Sequence, residues 1–408
     1  MSWSIVFFSV SLGALLGAPF RFPLPILLAI PFLILFLRKK PLLALSVSLI
    51  LFFGVYTSIL RVPPGEYEFV ALVERSYMSY SKLVSVKVLD GKKWRRASPM
   101  KVKGALTPGS HVYLIGYYDG NVVRPRYLRE VKVGSPLSNS IAFREKFLKD
   151  VDNETLGALL FGVGKSEKVT KSGLAHLFAV SGFHIGVIFF LHSTLFSIFN
   201  WRRFLNDVLS FCAMLPYVLG VGAPSAYRAF LTLVVWRIFK LLGVRASPRE
   251  VTSMVGSVML ALDPTMVTSP SFLLSFFVTL AILDSKNFWS MSLKAYCASL
   301  PFLALFFGAT NPFSVLFVFP ASVLVGVAVF FSYSSYVLYS IGFRVTALAT
   351  SRVCKVLLVP LEYLVDFASK FPSFTLPLAT YPLFSVILLI TFFYSPGRDR
   401  RTSNRGFL

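Results

Sequence analysis

The chain has very few of the residues that hold metal ions in proteins. It carries only four histidines and three cysteines in 408 residues. Neither an H-E-x-x-H pair nor a closely spaced cluster of cysteine and histidine occurs, and zinc sites require such spacings. Each cysteine stands alone in an apolar segment, which is typical of a small buried hydrophobe. The sequence therefore predicts no metal site, no disulfide framework and no bound cofactor.

Acidic residues and catalytic motifs are scarce as well. Eighteen Asp and Glu stand against 41 Lys and Arg, so the formal net charge is +23. Ser181 lies in a Val-Ser-Gly sequence without the G-x-S-x-G turn of hydrolases, which leaves an intramembrane hydrolase as the least supported alternative. No phosphate-binding loop of the G-x-x-x-x-G-K-[ST] type occurs to power an ATP-driven motor. We predict that the chain is not an enzyme.

What the chain has in excess is apolar sequence, at 55% of its residues, against about 45–50% in soluble proteins. Its apolar runs predict a polytopic α-helical membrane protein of about ten to twelve spans, at roughly 20 residues each, with one small inserted all-β domain. The predicted divisions are N-terminal transmembrane helices at 1–60, a basic β domain at 61–135, an interfacial segment at 136–172, a second transmembrane domain at 173–395 and a basic tail at 396–408.

Basic residues in short loops predict the orientation in the membrane. Three apolar runs at 3–18, 24–37 and 42–60 open the chain, and residues 38–40, Arg-Lys-Lys, separate the second from the third. Short basic loops stay in the cytoplasm. We therefore expect the N-terminus inside, the β domain outside and the arginine-rich tail inside.

The segment 61–134 changes to short alternating runs of apolar and polar residues. Strands are predicted at 82–89, 110–116 and 129–133, and Asp-Gly or Pro-Gly turns separate the runs. With about five strands, closure into a small barrel would remove exposed sheet edges.

This β domain is basic and carries aromatic residues beside its cations. Cations that follow phosphates and aromatic faces that stack on bases suit a platform for single-stranded nucleic acid. A domain lying against anionic lipid headgroups explains the same residues, and composition alone does not decide between them. The candidate DNA-binding residues are Lys92, Lys93, Trp94, Arg95, Arg96, Lys101, Lys103, Arg124, Arg126 and Arg129.

Two further segments follow the β domain. Residues 138–151 alternate as an amphipathic helix that would lie on the membrane, with Ile141 and Phe147 on its apolar face and Arg144 off that face. Residues 173–199 are apolar enough for one membrane helix, which carries His176, Ser181 and His184. At about 100° per residue these three side chains can share one broad face.

Polar side chains inside a membrane helix either join helices or line a pore. Gly182 and Gly186, four residues apart, would let a neighbouring helix approach closely. Arg228 lies at the outer end of a later span, where it either reaches for the interface or presents a cation to an anionic path.

The run GLAHLFAVSGFHIG at 173–186 closely resembles the hallmark of the ComEC family of competence proteins, Gly-Leu-x-His-Leu-x-Ala-(Val/Ile)-Ser-Gly-x-His-(Val/Ile)-Gly. Further matches follow in the family's order: GALLFG at 157–162, Pro-Ser at 224–225 with Arg-Ala at 228–229, Asp-Pro at 263–264 and SPSFLLSF at 269–276. The three N-terminal spans and the small β domain also look like that family, in which the domain is regarded as an OB fold.

The resemblance implies a channel in the bacterial cytoplasmic membrane that carries single-stranded DNA inward during natural transformation. It favours DNA over lipid as the ligand of the β domain, and it implies that His176, Ser181, His184, Ser225, Arg228 and Ser275 line the channel, with Gly182 and Gly186 packing helices. Many relatives carry a C-terminal β-lactamase-like domain, which is not expected here. Partners would be a DNA receptor, a separate nuclease and a cytoplasmic ATP-driven translocase. The rival hypothesis is a transporter of another anionic or amphipathic solute, whose β domain docks a partner protein.

Overall fold

The computed structural model describes residues 3–17, 49–50, 52–54, 56–57, 60–162, 169, 171–178, 180–283, 285, 287–306 and 309–375. The predicted second span, the basic residues 38–40, much of the third span, and the last span with the basic tail lie outside the described residues. The helices are α1 (Trp3–Gly17), α2 (Pro136–Val151), α3 (Glu154–Phe161), α4 (Ala175–Phe178), α5 (Gly182–Ser197), α6 (Arg203–Val221), α7 (Pro224–Leu241), α8 (Pro248–Leu262), α9 (Pro270–Ile282), α10 (Phe288–Phe306), α11 (Ser314–Ser340) and α12 (Arg344–Ser369).

The predicted β domain contains six strands, five of which close into a barrel. Its strands are β1 (Gly65–Ser76), β2 (Tyr80–Asp90), β3 (Lys93–Arg96), β4 (Met100–Lys103), β5 (His111–Tyr118) and β6 (Val122–Val131). β1 pairs with both β2 and β5, β2 with β4, β5 with β6, and β4 with β6 in parallel, so the sheet closes in the order β1-β2-β4-β6-β5-β1. β3 extends the far half of β2 as a hairpin. The short strands β7 (Ala309–Thr310) and β8 (Phe374–Thr375) pair separately.

Alternation of side chains explains the barrel. In β5, Val112 and Leu114 are buried, while Ile115 and Tyr117 point outward and are exposed. β6 begins at Val122, seven residues before the predicted start at 129. The strand can include Pro125 because the register of the β5–β6 ladder shifts at Gly116. Proline cannot donate to a sheet ladder but is tolerated at a bulge. A proline inside the segment therefore hid the first half of this strand from a pattern-based prediction.

Three arginines hold the barrel against the helices, and each donates to the carbonyl end of a helix. Arg75 donates to Gly162 O at 2.9 Å, to Phe161 O at 3.0 Å and to Val221 O at 3.2 Å. Arg96 donates to Leu262 O at 2.8 Å. A cation is favourable at a helix C-terminus, where unpaired carbonyls carry partial negative charge. Arg96 thus helps to dock the barrel while 52% of its side chain stays exposed, and the DNA contact predicted for it stays a prediction.

Arg144 on α2 is the third of these arginines, and its side chain is fully buried. It donates to Gly220 O at 2.7 Å and to Glu74 O at 2.8 Å, and Glu145 accepts from it at 2.7 Å. Burial lowers the pKa of the Arg144 guanidinium. The expectation that Arg144 stays off the buried side of a membrane-surface helix is wrong, because α2 lies between the barrel and α6.

Two apolar clusters form the helical body. One joins α2 to α7 with α11 and α12, and the other joins α1, α8, α9 and α10. Within the described residues, α6 and α11 are long and apolar enough to cross a membrane, and α1, α5 and α9 are apolar but shorter. The described part of the chain is thus mostly helical, with one β-barrel near its N-terminus.

Gly256→Ala is expected to destabilise the protein by about 1 to 3 kcal/mol, the usual effect of overpacking. A methyl group at this position would meet the rings of Phe7 and Phe276 where α1 crosses α8. In an open helix the same substitution is stabilising by up to about 1 kcal/mol. Gly186→Ala in α5 is the matched control, because nothing lies within 4 Å of the added carbon. Thermal unfolding of both variants should show opposite signs, and equal shifts would contradict this packing.

Candidate functional site at a broken helix

The predicted single helix at 173–199 is wrong, because the chain breaks between α4 and α5. Val180 and Ser181 are not helical, and Ser181 is the N-cap of α5 in an extended conformation, with φ −112° and ψ 173°. A serine followed by a glycine favours a cap over a continuous helix. His176 lies on the short helix α4, but its side chain falls outside the described part of the chain. His176, Ser181 and His184 therefore do not share one face of a single helix, as was predicted.

Ser181 and His184 nevertheless meet, through capping geometry. Ser181 Oγ lies 2.9 Å from His184 Nδ1, and the Ser181 N–H donates to the same nitrogen at 3.4 Å. Because a backbone N–H can only donate, this network assigns the proton of a neutral His184 ring to Nε2. Nε2 is buried and has no partner in hydrogen-bonding geometry among the described residues, although the Leu159 carbonyl faces the ring.

Ser225 ties the break to two other helices. Its hydroxyl donates to Val180 O at 2.6 Å and accepts from Ser271 Oγ at 3.3 Å. Ser225 and Ser271 both lie in the first turn of their helices, α7 and α9, each of which begins at a proline. The N-termini of α5, α7 and α9 are therefore brought together here.

Arg228 points into the same place from α7 and is 6% exposed. Its Nη2 lies 3.2 Å from the position that a Cβ on Gly182 would occupy, so the glycine makes room for the guanidinium. The guanidinium carbon lies 5.6 Å from the centre of the Phe276 ring. Among the described residues, Nε of Arg228 has no hydrogen-bond partner, and no carboxylate lies within ion-pair distance of this guanidinium.

The remaining predicted helix residues lie outside this cluster. Gly186 is exposed and has open space around it, so the predicted glycine seam between two helices is not formed there. Ser275 is half-buried, and its carbonyl accepts from Thr279 Oγ1 at 2.7 Å. We call Ser181, Gly182, His184, Ser225 and Arg228 the break cluster.

A second candidate surface lies on the barrel, across β2 and β4. Tyr80 is opposite Lys103, and Lys82 is opposite Lys101. Lys101 Nζ lies 5.2 Å from the centre of the Tyr80 ring, and Tyr77 stacks on Tyr80 with ring centres 4.6 Å apart. Sequence reasoning missed both tyrosines, although the β1–β2 turn that contains Tyr77 could have suggested them. We call Tyr77, Tyr80, Lys101 and Lys103 the tyrosine face.

The other predicted DNA-binding residues are divided between two places. Arg124 lies 3.5 Å from Asp119 and Arg126 lies 2.8 Å from Glu66, so carboxylates accompany them on the β5–β6 side. Backbone N–H groups of Val122 and Asn121 hold the pKa of Asp119 below its ordinary value. Arg129 pairs across the ladder with Tyr113.

The β2–β3 hairpin carries the rest of the predicted set. Lys92 and Lys93 are exposed, and Trp94 is 45% exposed. Arg95 Nε lies 3.6 Å from Asp90. A cavity of about 630 Å³ lies at the far end of α7, between Trp236, Lys240 and Arg245, and its lining includes no predicted residue.

Comparison with known proteins identifies the helical part. Residues 165–396 match the family of competence proteins. An uncharacterized protein of Aquifex aeolicus is 30% identical over 251 residues, which are 56% of this chain and 59% of that protein. The uncharacterized protein MG316 of Mycoplasma genitalium is 31% identical over 127 residues, 28% of this chain and 33% of that protein. The chain thus spans less than two thirds of either relative, and no solved structure matches it.

Proposed function

The chain belongs to the competence protein family, and from this premise we propose that it is a channel that passes single-stranded DNA across the bacterial cytoplasmic membrane during natural transformation. The family has a role in DNA uptake, and its members are membrane-associated. The finer assignment rests on three features of this chain: apolar outer faces on its helices, the tyrosine face of the barrel, and the break cluster.

The outer faces of the helices support several membrane crossings. On α11, Leu316, Phe319, Val323 and Val327 are each between 44% and 54% exposed. Their spacing of three and four residues places them on one side of the helix. A stripe of this kind is unfavourable in water and favourable against lipid. We propose a polytopic arrangement with both termini in the cytoplasm and the barrel outside.

The tyrosine face is the observation that carries the DNA assignment of the barrel. The strand order β1-β2-β4-β6-β5-β1 is that of an OB-like barrel, in which the second and third strands and the loop before them bind oligonucleotides. Here those strands are β2 and β4, and that loop carries Tyr77. Glu74, whose carboxylate lies 2.7 Å from Lys82 Nζ, is only 3% exposed. Lys101 and Lys103 have no ion pair within the described part of the chain, and stacked rings beside such lysines suit bases and phosphates.

Hydrolysis is not part of this proposal. In hydrolases a carboxylate orients the base that activates the serine. In the break cluster, no described carboxylate accepts a hydrogen bond from His184, and its Nε2 has no partner in hydrogen-bonding geometry among the described residues. We propose that degradation of one DNA strand, DNA capture and ATP-driven pulling belong to a separate nuclease, a separate receptor and a cytoplasmic translocase. The chain itself would need no metal or cofactor.

The barrel assignment predicts that the full chain in nanodiscs binds oligothymidylate. Tyr80→Ala should weaken binding about tenfold, because base stacking contributes about 1 to 3 kcal/mol per base. Lys101→Met with Lys103→Met should weaken binding and reduce its salt dependence by the loss of phosphate contacts. Fluorescence anisotropy at several salt concentrations measures both effects.

Matched controls lie on the β5–β6 side of the same barrel. Tyr127 is 50% exposed on the β5–β6 side, and Arg126 there is paired with Glu66. Tyr127→Ala and Arg126→Met should bind oligothymidylate as the unmodified protein does. An absence of oligothymidylate binding at low salt would refute the DNA role of the barrel. It would favour the rival hypothesis, a transporter of another solute whose β domain docks a partner protein. Equal losses in both pairs of variants would reject the tyrosine face.

A further inference from the structure

The break cluster contains a cation where the local electrostatics disfavour one. The N-terminus of a helix carries a partial positive charge from its unpaired N–H groups. The Arg228 guanidinium lies against Gly182, the first residue of α5. Two positive charges are therefore adjacent inside the protein, and a buried cation without a partner is costly.

Three helix N-termini strengthen this positive potential. α7 and α9 begin beside α5, as the hydrogen bonds of Ser225 to Val180 and of Ser271 to Ser225 show. N-termini of helices attract anions through oriented N–H groups and the aligned peptide dipoles. All three helices are longer than ten residues, at 16, 18 and 13 residues.

The unpaired groups of the cluster are donors and not acceptors. Arg228 Nε can only donate, and it has no partner. His184 Nε2 is also a donor in the neutral ring, for the reason given above; among the described residues it has no partner in hydrogen-bonding geometry, and the Leu159 carbonyl faces the ring. Phe276 presents its ring to Arg228 at 5.6 Å, which offsets part of the desolvation but offers no oxygen acceptor. An anion that brings its own oxygens would supply the acceptor that Arg228 lacks.

Arg237 on the same helix is half-buried and pairs with a carboxylate, although its Nε also lacks a hydrogen-bond partner. Its guanidinium lies 3.5 Å from Asp207 and over the ring of Phe189 at 5.1 Å. Arg228, nine positions earlier on α7, has the ring but lacks the carboxylate. An anionic ligand would take the role at Arg228 that Asp207 has at Arg237.

We propose that the break cluster is a binding site for an oxyanion of the phosphate class, held by Arg228, the first-turn N–H groups of α5 and His184. Such a group occurs in the backbone of a DNA strand, in inorganic phosphate and in phospholipid headgroups. Assigning it to a DNA strand rests on the proposed function, and the site itself does not.

The first experiment measures thermal unfolding of the full chain in zwitterionic nanodiscs, in phosphate and in chloride at equal pH and ionic strength. Inorganic phosphate should raise the unfolding temperature of the unmodified protein by mass action. Arg228→Met should raise the unfolding temperature in chloride, because it removes a buried unpaired charge, and should abolish the response to phosphate. Arg237→Met should lower the unfolding temperature in chloride and keep the response.

A structural role for Arg228 makes the opposite prediction, a lower unfolding temperature in both salts. That result, or an unmodified protein that does not respond to phosphate, would overturn the site. Gly182→Ala provides a second variant if Arg228→Met does not fold. Its methyl group would crowd Nη2 of Arg228, so the affinity for phosphate should fall about tenfold, as expected for a lost charge-assisted hydrogen bond.

Competition distinguishes the sources of the phosphate group. Oligothymidylate should displace inorganic phosphate from the unmodified protein, and its uncharged methylphosphonate analogue should not. If phosphatidylglycerol nanodiscs displace inorganic phosphate and oligothymidylate does not, the anion site is supported but a DNA strand is rejected as its ligand. Loss of oligonucleotide binding at the tyrosine face, with the phosphate response intact, would reject the DNA role of the barrel and leave this site standing.

Discussion

Arg144→Met is expected to destabilise the folded chain by about 3 to 5 kcal/mol, which is the usual effect of removing one partner from a buried charged network. The Arg144 side chain is 0% exposed and joins β1 to the end of α6 through Glu74 O and Gly220 O. Methionine restores most of the volume but leaves both carbonyls without this donor. The barrel should therefore loosen from the helices before either part unfolds.

Denaturant unfolding in micelles gives the free-energy change, and hydrogen exchange along β1 and α6 shows where the structure opens. Lys146→Met is the matched control, because Lys146 is exposed two positions along the same helix. A surface substitution of that kind should change stability by less than about 0.5 kcal/mol. If Arg144→Met behaves like Lys146→Met, the docking role of the buried arginine is refuted.

DNA uptake should fall between about tenfold and a hundredfold in cells whose only copy carries Arg228→Met. One charge-assisted hydrogen bond contributes about 1.5 to 3 kcal/mol, and each 1.4 kcal/mol is a factor of ten. His184→Ala removes the second unpaired donor and should act in the same direction. The measurement is internalised labelled DNA at equal expression levels, and Gly186→Ala, at an exposed site on α5, should leave it unchanged.

Variants of Ser181 distinguish a packing role from a polar role at the helix break. Its Oγ contacts His184 Nδ1 at 2.9 Å, so Ser181→Ala should reduce uptake by freeing the imidazole. Recovery of uptake in Ser181→Gly would indicate that only close packing matters at this position. Normal uptake in all of the Arg228, His184 and Ser181 variants would remove the break cluster from the DNA path.

The barrel was largely predictable, because its strands depend on local alternation. Buried Val86 and Val88 and exposed Lys87 on β2 show the two-residue period that a sheet imposes. The turns between strands use Asp-Gly and Pro-Gly pairs, whose glycines adopt positive φ at Gly91 and Gly109. Closure of the barrel could also be predicted from the sequence. A small open sheet would leave unpaired edges that can pair with other chains, and closure removes those edges.

The break in the helix at 173–199 could not be predicted from its hydrophobicity. An apolar run of that length predicts one span, and the preference of the Ser181–Gly182 pair for a helix cap is a weaker signal than that run. The break is held instead by Ser225, whose hydroxyl donates to Val180 O across 45 residues of sequence. A contact of that separation is set by how helices pack, which local propensity does not encode.

The same division applies to the cations. Composition alone determined that this is an apolar, basic chain, and the run at 173–186 determined its family, because both are properties of the residues themselves. Only the tertiary structure decided which arginines have hydrogen-bond acceptors. Arg75, Arg96 and Arg144 cap helix ends, while Arg228 is buried with no carboxylate beside it among the described residues. The physical reason is that the free energy of a charge depends on the acceptors and dipoles around it, and distant parts of the chain bring these together.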